Sequence, residues 1–224
     1  MYAVGEFLCF RDGELSRCRD RVAVEEDFEL WLNGSKAASF TCTPSDLEDL
    51  VYGYLAERGY RPRSARISVS GNRLSVEAEL EKVSFARSAV RFRAEHVLRA
   101  VEALAELGTG FKETGALHGA LSFNEEGEVL FHVEDISRHC AVDKLIGRLV
   151  RSGGDPGRVG FALSCRLTRS IVEKLSSVGA PLVASKAAPT LQGIRLAEEA
   201  GVTLVGFARG RKFNVYAHPE RILL

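Results

Sequence analysis

Cations recur in this sequence wherever a predicted strand hands over to a helix or a glycine turn. After Glu134 comes Asp135-Ile136-Ser137-Arg138-His139-Cys140, and after Leu163 comes Ser164-Cys165-Arg166. After Ala184 comes Ser185-Lys186, and after Phe207 comes Ala208-Arg209-Gly210-Arg211-Lys212. Helix N-termini present free amides and the positive end of the helix dipole, and guanidinium forks match phosphate oxygens. In open α/β sheets the crevice beyond the carboxyl ends of the strands is where ligands bind. Recurrence at four junctions points to a phosphorylated small molecule or a dinucleotide, set against the plainer reading of cations on solvated loops.

Sulfur and zinc chemistry are the other candidates. Cys140 follows Arg138 and His139 at a helix start, where a dipole and a cation lower a thiol pKa; Cys165 sits between Ser164 and Arg166 in a similar setting. Against this, a buried free cysteine commonly behaves as a small hydrophobe. Asp135, Arg138 and His139 could orient a substrate or move a proton, or could form a capping and salt-bridge cluster. His132-Val133-Glu134 fits the first half of the zinc deaminase signature, but neither Cys140 nor Cys165 has a cysteine two residues away to supply the second half.

The elements that would position these residues read as follows. Phe28–Leu32 and Ala37–Cys42 form a hairpin over Asn33-Gly34. Thr43-Pro44-Ser45-Asp46 opens a helix whose apolar positions run from Leu47 to Leu55, with Thr43 capping it and Pro44 in its first turn. Arg66–Ser70 and Leu74–Leu80 are strands joined at Gly71-Asn72, and Ala94–Leu107 is an amphipathic helix. The Gly108-Thr109-Gly110 segment marks a boundary between a smaller N-terminal α+β domain, residues 1–110, and an α/β domain, residues 111–224. In the second domain a hairpin over 124–127 is followed by short strands alternating with helices: Ser137–Val150, Val159–Leu163, Leu167–Val178, Pro181–Ala184, Thr190–Ala200 and Val202–Phe207, then Phe213–Tyr216. That rhythm indicates parallel strand pairs covered by helices.

Bulk properties narrow the classes. The chain has 224 residues and zero formal net charge, with 46% hydrophobic and 27% charged residues, as expected of a globular protein. Residues 151–224 carry eleven Lys+Arg against five Asp+Glu, so the C-terminal part is net basic. Zero overall charge and few aromatics near the basic junctions argue against nucleic acid. No apolar run approaches the ~20 residues that span a bilayer, and the N-terminus does not read as a secretory leader. Five cysteines with no C-x-x-C are expected to be free thiols, which fits the cytoplasm.

The junctions carry a resemblance. Thr114-Gly115-Ala116-Leu117-His118-Gly119-Ala120 looks like the T-G-G-L-H-x-A segment of the FdhD family. Glu134 through Lys144, EDISRHCAVDK, is similar to its E-D-V-G-R-H-N-A-x-D-K motif. Ala187-Ala188-Pro189-Thr190 resembles S-A-P-T, Thr203 through Arg209 resembles T-L-V-G-F-x-R, and Asn214 through Ile222 looks like N-V-Y-T-H-P-E-R-I. The resemblance implies a cytoplasmic, usually dimeric accessory protein whose larger domain is a cytidine-deaminase-like three-layer α/β fold without zinc. It implies a sulfurtransferase role: sulfur is taken from a cysteine desulfurase and passed to the molybdenum (or tungsten) cofactor before insertion into formate dehydrogenase. That cofactor is molybdopterin guanine dinucleotide, and the segment matching Phe207–Lys212 belongs to its binding site; the junction residues Asp135, Arg138, His139, Arg166 and Lys186, with His118, join it as candidates.

One departure matters. Family members carry a C-x-x-C loop whose thiolate holds a persulfide. Here the corresponding interval, Lys82 through His96, reads KVSFARSAVRFRAEH and contains no cysteine. Neither serine nor arginine can replace a persulfide carrier. Two readings follow: a protein that holds the cofactor without carrying sulfur, or a sulfurtransferase in which Cys165 or Cys140 has taken over.

Overall fold

The computed structural model describes residues 2–224. The chain opens with strands β1 (Tyr2–Arg11) and β2 (Glu14–Ala23), an isolated antiparallel ribbon. Asp12 and Gly13 both take positive φ at its turn, 52° and 91°, as a two-residue hairpin with right-handed strand twist demands. The strand pattern of the sequence gives no sign of this ribbon, although Asp12-Gly13 is a hairpin signal of the same kind as Asn33-Gly34. Its register brings Cys9 and Cys18 together as a disulfide, Cα atoms 5.9 Å apart. That corrects the expectation of five free thiols; Cys42, Cys140 and Cys165 are free and buried.

Strands β3 (Glu26–Leu32) and β4 (Ser35–Cys42) follow, then α1 (Leu47–Ala56), β5 (Tyr60–Ser70) and β6 (Arg73–Lys82). They make a four-stranded sheet of order β4-β3-β6-β5, whose Leu30, Leu74 and Val76 pack with Val51, Tyr54 and Leu55 of α1. The entry into α1 differs from the sequence reading. Asp46, not Thr43, stands at the N-cap, in left-handed conformation and without a side-chain cap bond. Thr43 is fully buried and donates instead to Asp135, Oγ1 to Oδ2 2.8 Å.

After β7 (Phe92–Arg93) come α2 (Ala94–Leu107), α3 (Thr109–Thr114), β8 (His118–Phe123), β9 (Val129–Asp135) and α4 (Arg138–Arg151). Then β10 (Gly160–Leu163), α5 (Arg169–Ser177), β11 (Leu182–Ser185), α6 (Leu191–Ala200), β12 (Thr203–Arg209), β13 (Lys212–Ala217) and β14 (Ile222–Leu223) complete the chain. The main sheet has order β13-β12-β11-β10-β8-β9, with β10, β11 and β12 parallel and the outer pairs antiparallel. Alternating residues feed two cores. Phe161, Leu163, Val183 and Leu204 face α4, α5 and α6; Ala162, Leu182, Ala184 and Val205 face α2. This is a three-layer α/β arrangement. Val97, Val101 and Leu104 of α2 pack against this sheet, each buried apolar side chain contributing about 1.5–3 kcal/mol.

Helices α1 and α4 join the two sheets. A Cβ on Gly53 would collide with the carbonyl of Asp143, and one on Gly147 with that of Asp49, so glycine alone permits this backbone approach. Arg148 Nε donates to Asp49 across the crossing at 2.7 Å.

Candidate functional site

The edge at the carboxyl ends of β10, β11 and β12 is one continuous surface because its loops are stitched together. Ser164 N donates to Gly119 O and Gly119 N donates to Ser164 Oγ, both at 2.9 Å, which sets His118 beside the end of β10. Leu167 N donates to Ala188 O at 3.1 Å, Ser185 Oγ donates to Cys165 O at 2.7 Å, and Phe207 N donates to Ala187 O at 3.1 Å. Three of the four predicted junctions are therefore tied together. Helix caps fix two of the four: Ser137 Oγ accepts from Cys140 N, and Thr190 Oγ1 from Gly193 N.

A cavity of about 360 Å³ opens at this edge on the α2 side. Leu104 and Ala105 of α2, Phe111 and Lys112 of α3, the 115–119 segment, Glu134, Ser164 and Lys186 line it. The Lys186 ammonium lies 5.5 Å from the centroid of the Phe111 ring. Glu134 fixes that wall: both of its carboxylate oxygens are used, accepting from Gly110 N and Phe111 N at 2.8 Å. Those bonds also give Glu134 a structural task at the start of α3 in place of the proton-transfer role that the deaminase half-motif would require. The motif flagged Glu134, but nothing in the sequence signalled Phe111 or Lys112, because a six-residue helix flanked by glycines leaves no periodic pattern.

The charge at the edge is unneutralised. Arg138, Arg166, Lys186, Arg209, Arg211 and Lys212 form no ion pair with a carboxylate among the described residues. The Nε of Arg138 is buried and has no hydrogen-bond partner among the described residues, which is costly unless a ligand supplies an acceptor. Burial first, then Arg138 and Lys186, hold His118 below the usual imidazole range, against the opposing pull of Asp135. Burial and the cations Arg138 and Lys174 likewise lower His139, opposed by Asp143. Both histidines are therefore biased to the neutral form, and the site's positive charge comes from arginine and lysine.

The expected site residues divide. His118, Arg138, Lys186 and the Ser164–Cys165–Arg166 turn share the crevice edge, with Arg166 and Lys186 exposed. Phe207 has φ 54° beside a register shift that swings Arg209, Gly210, Arg211 and Lys212 out as an exposed hairpin tip, while Ala208 turns into the core. Asp135 is not available to a ligand: it is fully buried, taking Thr43 Oγ1 at 2.8 Å, Ser137 N at 2.7 Å and the Lys144 ammonium. A predicted carboxylate at a strand end is here an internal anchor between the two sheets.

The two candidate nucleophiles are also placed. Cys165 is 6% exposed, and burial pushes its thiol up to about 11 in spite of Arg138 and Arg166. Cys140 packs with Cys42, Phe28 and Leu50 where α4 meets the β4–α1 segment. The Cys42 thiol and the Ser137 hydroxyl lower Cys140, while the Cys140 contact and burial raise Cys42; neither sulfur faces the crevice surface. The interval that lacks the cysteine pair runs along the opposite edge of the sheet. There Arg87 Nε donates to Ala180 O at 3.0 Å and its guanidinium also reaches Ala200 O, while Ser88 N donates to Gly157 O at 3.0 Å.

Residues 61–223 match the FdhD/NarQ family. The sulfur carrier protein FdhD of Sulfolobus acidocaldarius is 32% identical over 240 aligned residues, covering 95% of each chain. The chain belongs to the FdhD/NarQ family. The sulfur carrier protein FdhD of Bacillus subtilis is 28% identical, with 98% of this chain and 97% of that one covered. A protein from Desulfotalea psychrophila assigned as a formate dehydrogenase accessory protein has a solved structure matching 99% of both chains, with TM-score 0.87 and 27% identity. Among the described residues no helix of this FdhD/NarQ chain is long and apolar enough to cross a membrane.

Proposed function

We propose that this chain is a formate dehydrogenase accessory protein that binds the guanine dinucleotide form of the molybdenum cofactor as cargo, without carrying sulfur on its own cysteines. One observation supports the reading: the buried Nε of Arg138, without a hydrogen-bond partner among the described residues, stands at an edge whose other cations, Lys186 above all, form no ion pair with a carboxylate among those residues. Such an edge fits the pyrophosphate of a dinucleotide. Arg209 and Arg211 on the exposed hairpin tip would close over the nucleotide, with Phe207 offering a ring beside Arg209. Leu104, Leu117 and Phe111 give the adjoining cavity an apolar floor for a ring system.

The sulfur half of the reading rests on accessibility. A thiolate that attacks a desulfurase persulfide must be exposed and ionised. Cys42, Cys140 and Cys165 are buried, and Cys165 is biased to the thiol. The relatives named as sulfur carriers make transfer the natural competing reading, with Cys165 as its one thiol at the crevice edge. Incubation with a cysteine desulfurase and isotopically tagged cysteine separates the two by intact mass: no sulfur adduct is expected, and an adduct on Cys165 or Cys140 would sink the holding reading. Binding itself is tested by calorimetric titration with guanosine diphosphate, adenosine diphosphate serving as control, on the wild type and on Arg209→Ala and Arg211→Ala.

A further inference from the structure

The β1–β2 ribbon precedes the segment that matches the family, and among the described residues none of it belongs to a buried core. It carries the disulfide pair Cys9 and Cys18, both half-buried, while the other three cysteines are free and buried. Disulfides commonly staple domains too small to build a core, whereas here two cores already flank the main sheet. The bond spans a sequence separation of only nine, inside a hairpin whose strands the backbone already joins. A loop that short gains little stability for the rest of the fold.

The ribbon suits reversible chemistry at this bond. Its ladder runs through continuous pairs from Tyr2–Ala23 to Arg11–Glu14 without a shift in register. Cys9 stands opposite Ser16 and Cys18 opposite Phe7, so the bond is a diagonal link on a ladder that is complete without it. Opening the bond leaves the two sulfurs held as neighbours, and that proximity favours reclosure. Alternation puts both cysteines on the face with Gly5, Ser16 and Asp20, away from Leu8 and Phe10. Phe7 shares the cysteine face, but its ring leans over Gly5, where a Cβ would come within 2.7 Å of it. The side of the bond toward the hairpin tip is therefore bordered by the small, exposed Ser16. Accessible disulfides are the labile ones, and buried Cys42, Cys140 and Cys165 offer no competing thiol nearby.

We propose that Cys9 and Cys18 form a thiol–disulfide exchange site, a redox-active pair whose substrates are external thiols and disulfides. In the reducing direction an external thiolate attacks one sulfur, the Cys9–Cys18 bond breaks, and the released cysteine takes up a proton. A second external thiol then attacks the mixed disulfide and releases the other cysteine. Two electrons and two protons pass to the ribbon, the external thiols leave joined as a disulfide, and no sulfur atom changes hands. The oxidising direction is the reverse. The proposal stands independently of the cofactor reading.

The test is equilibration of the native full chain in glutathione buffers of graded reduced-to-oxidised ratio, followed by acid quenching, alkylation and peptide mass mapping. Oxidised and pre-reduced chains are expected to reach the same endpoint, with Cys9 and Cys18 passing from mainly disulfide to mainly dithiol within the series. Cys42, Cys140 and Cys165 are expected to carry no glutathione, and far-UV circular dichroism to keep its helical signal throughout. Cys18→Ser leaves a single thiol on the ribbon and should accumulate a glutathione mixed disulfide on Cys9. A bond that survives the most reducing buffer, or a helical signal lost on reduction, would mark a structural staple and overturn the site. A pair that stays dithiol in the most oxidising buffer, or a Cys9 that takes no glutathione in Cys18→Ser, would overturn it equally.

Discussion

Lys144 and Asp135 form an ion pair in which neither side chain has any exposure to solvent. The Lys144 ammonium also donates to Thr43 O at 3.0 Å and Thr43 Oγ1 at 3.1 Å, so the N-terminal sheet supplies the third member. Removing one partner strands the other charge in a dry interior. Lys144→Met is expected to lower unfolding free energy by about 3–5 kcal/mol, and Asp135→Asn by a similar amount. The joint replacement Asp135→Leu with Lys144→Met should cost much less than the sum of the two single effects. Denaturant titration of the set measures this; equal, additive losses would contradict a shared buried pair.

The crossing of α1 on α4 depends on two glycines. Gly53→Ala and Gly147→Ala each place a methyl group against backbone carbonyl atoms that cannot swing aside. Each is expected to destabilise by about 1–3 kcal/mol or more, although alanine favours a helix over glycine. Thermal or denaturant unfolding checks the sign, and a stabilised alanine variant would show that the helices can separate freely.

A second buried cluster gives a pH dependence. The Lys174 ammonium serves two carboxylates at once, 2.8 Å from Glu57 Oε1 and 2.6 Å from Asp143 Oδ1. Burial first, then Asp143, push Glu57 up to about 9 from its usual 4.5, against the pull of Lys174. A raised folded-state pKa means the folded chain binds the proton more tightly than the unfolded chain. The associated stability is present below about pH 4.5 and is lost as pH rises through about 9. Wild-type melting temperature should therefore fall across that window, and Glu57→Gln should fall less. Parallel profiles for the two proteins would contradict the assignment.

The free thiols make a chemical prediction. A thiol reagent should react slowly with the native chain, because Cys42, Cys140 and Cys165 are buried, and should count three thiols after unfolding without reductant. Rapid native labelling of Cys165 would return it to candidacy as a sulfur carrier.

Much of the main sheet and its helices is legible in the sequence because they follow strict periods. The Ala94–Leu107 helix has its expected bounds, and Ser137 and Thr190, expected as the first residues of their helices, are the N-caps. The junction cations were legible for the same reason, since strand ends in a parallel sheet share one edge. What sequence could not show is direction. Asp135 looks like its neighbour Arg138 in any list of polar junction residues, yet alternation along β9 sends it toward Thr43 and Lys144. Thr43 reads as a local cap, but its hydroxyl donates to a partner 92 positions away. The first ribbon was missed because both of its faces are open, leaving no alternation of apolar and polar residues to find.

The proposed role requires that the carboxyl edge of the sheet bind a guanine diphosphate group through Arg138 and Lys186. The most direct measurement is calorimetric titration of guanosine diphosphate into the wild type, Arg138→Ala and Lys186→Ala, with adenosine diphosphate as control. Guanine-selective binding to the wild type is expected, weakened at least tenfold by Arg138→Ala, about 1.4 kcal/mol, and also weakened by Lys186→Ala. Absence of binding, equal affinity for the two nucleotides, or undiminished binding by Arg138→Ala would contradict it.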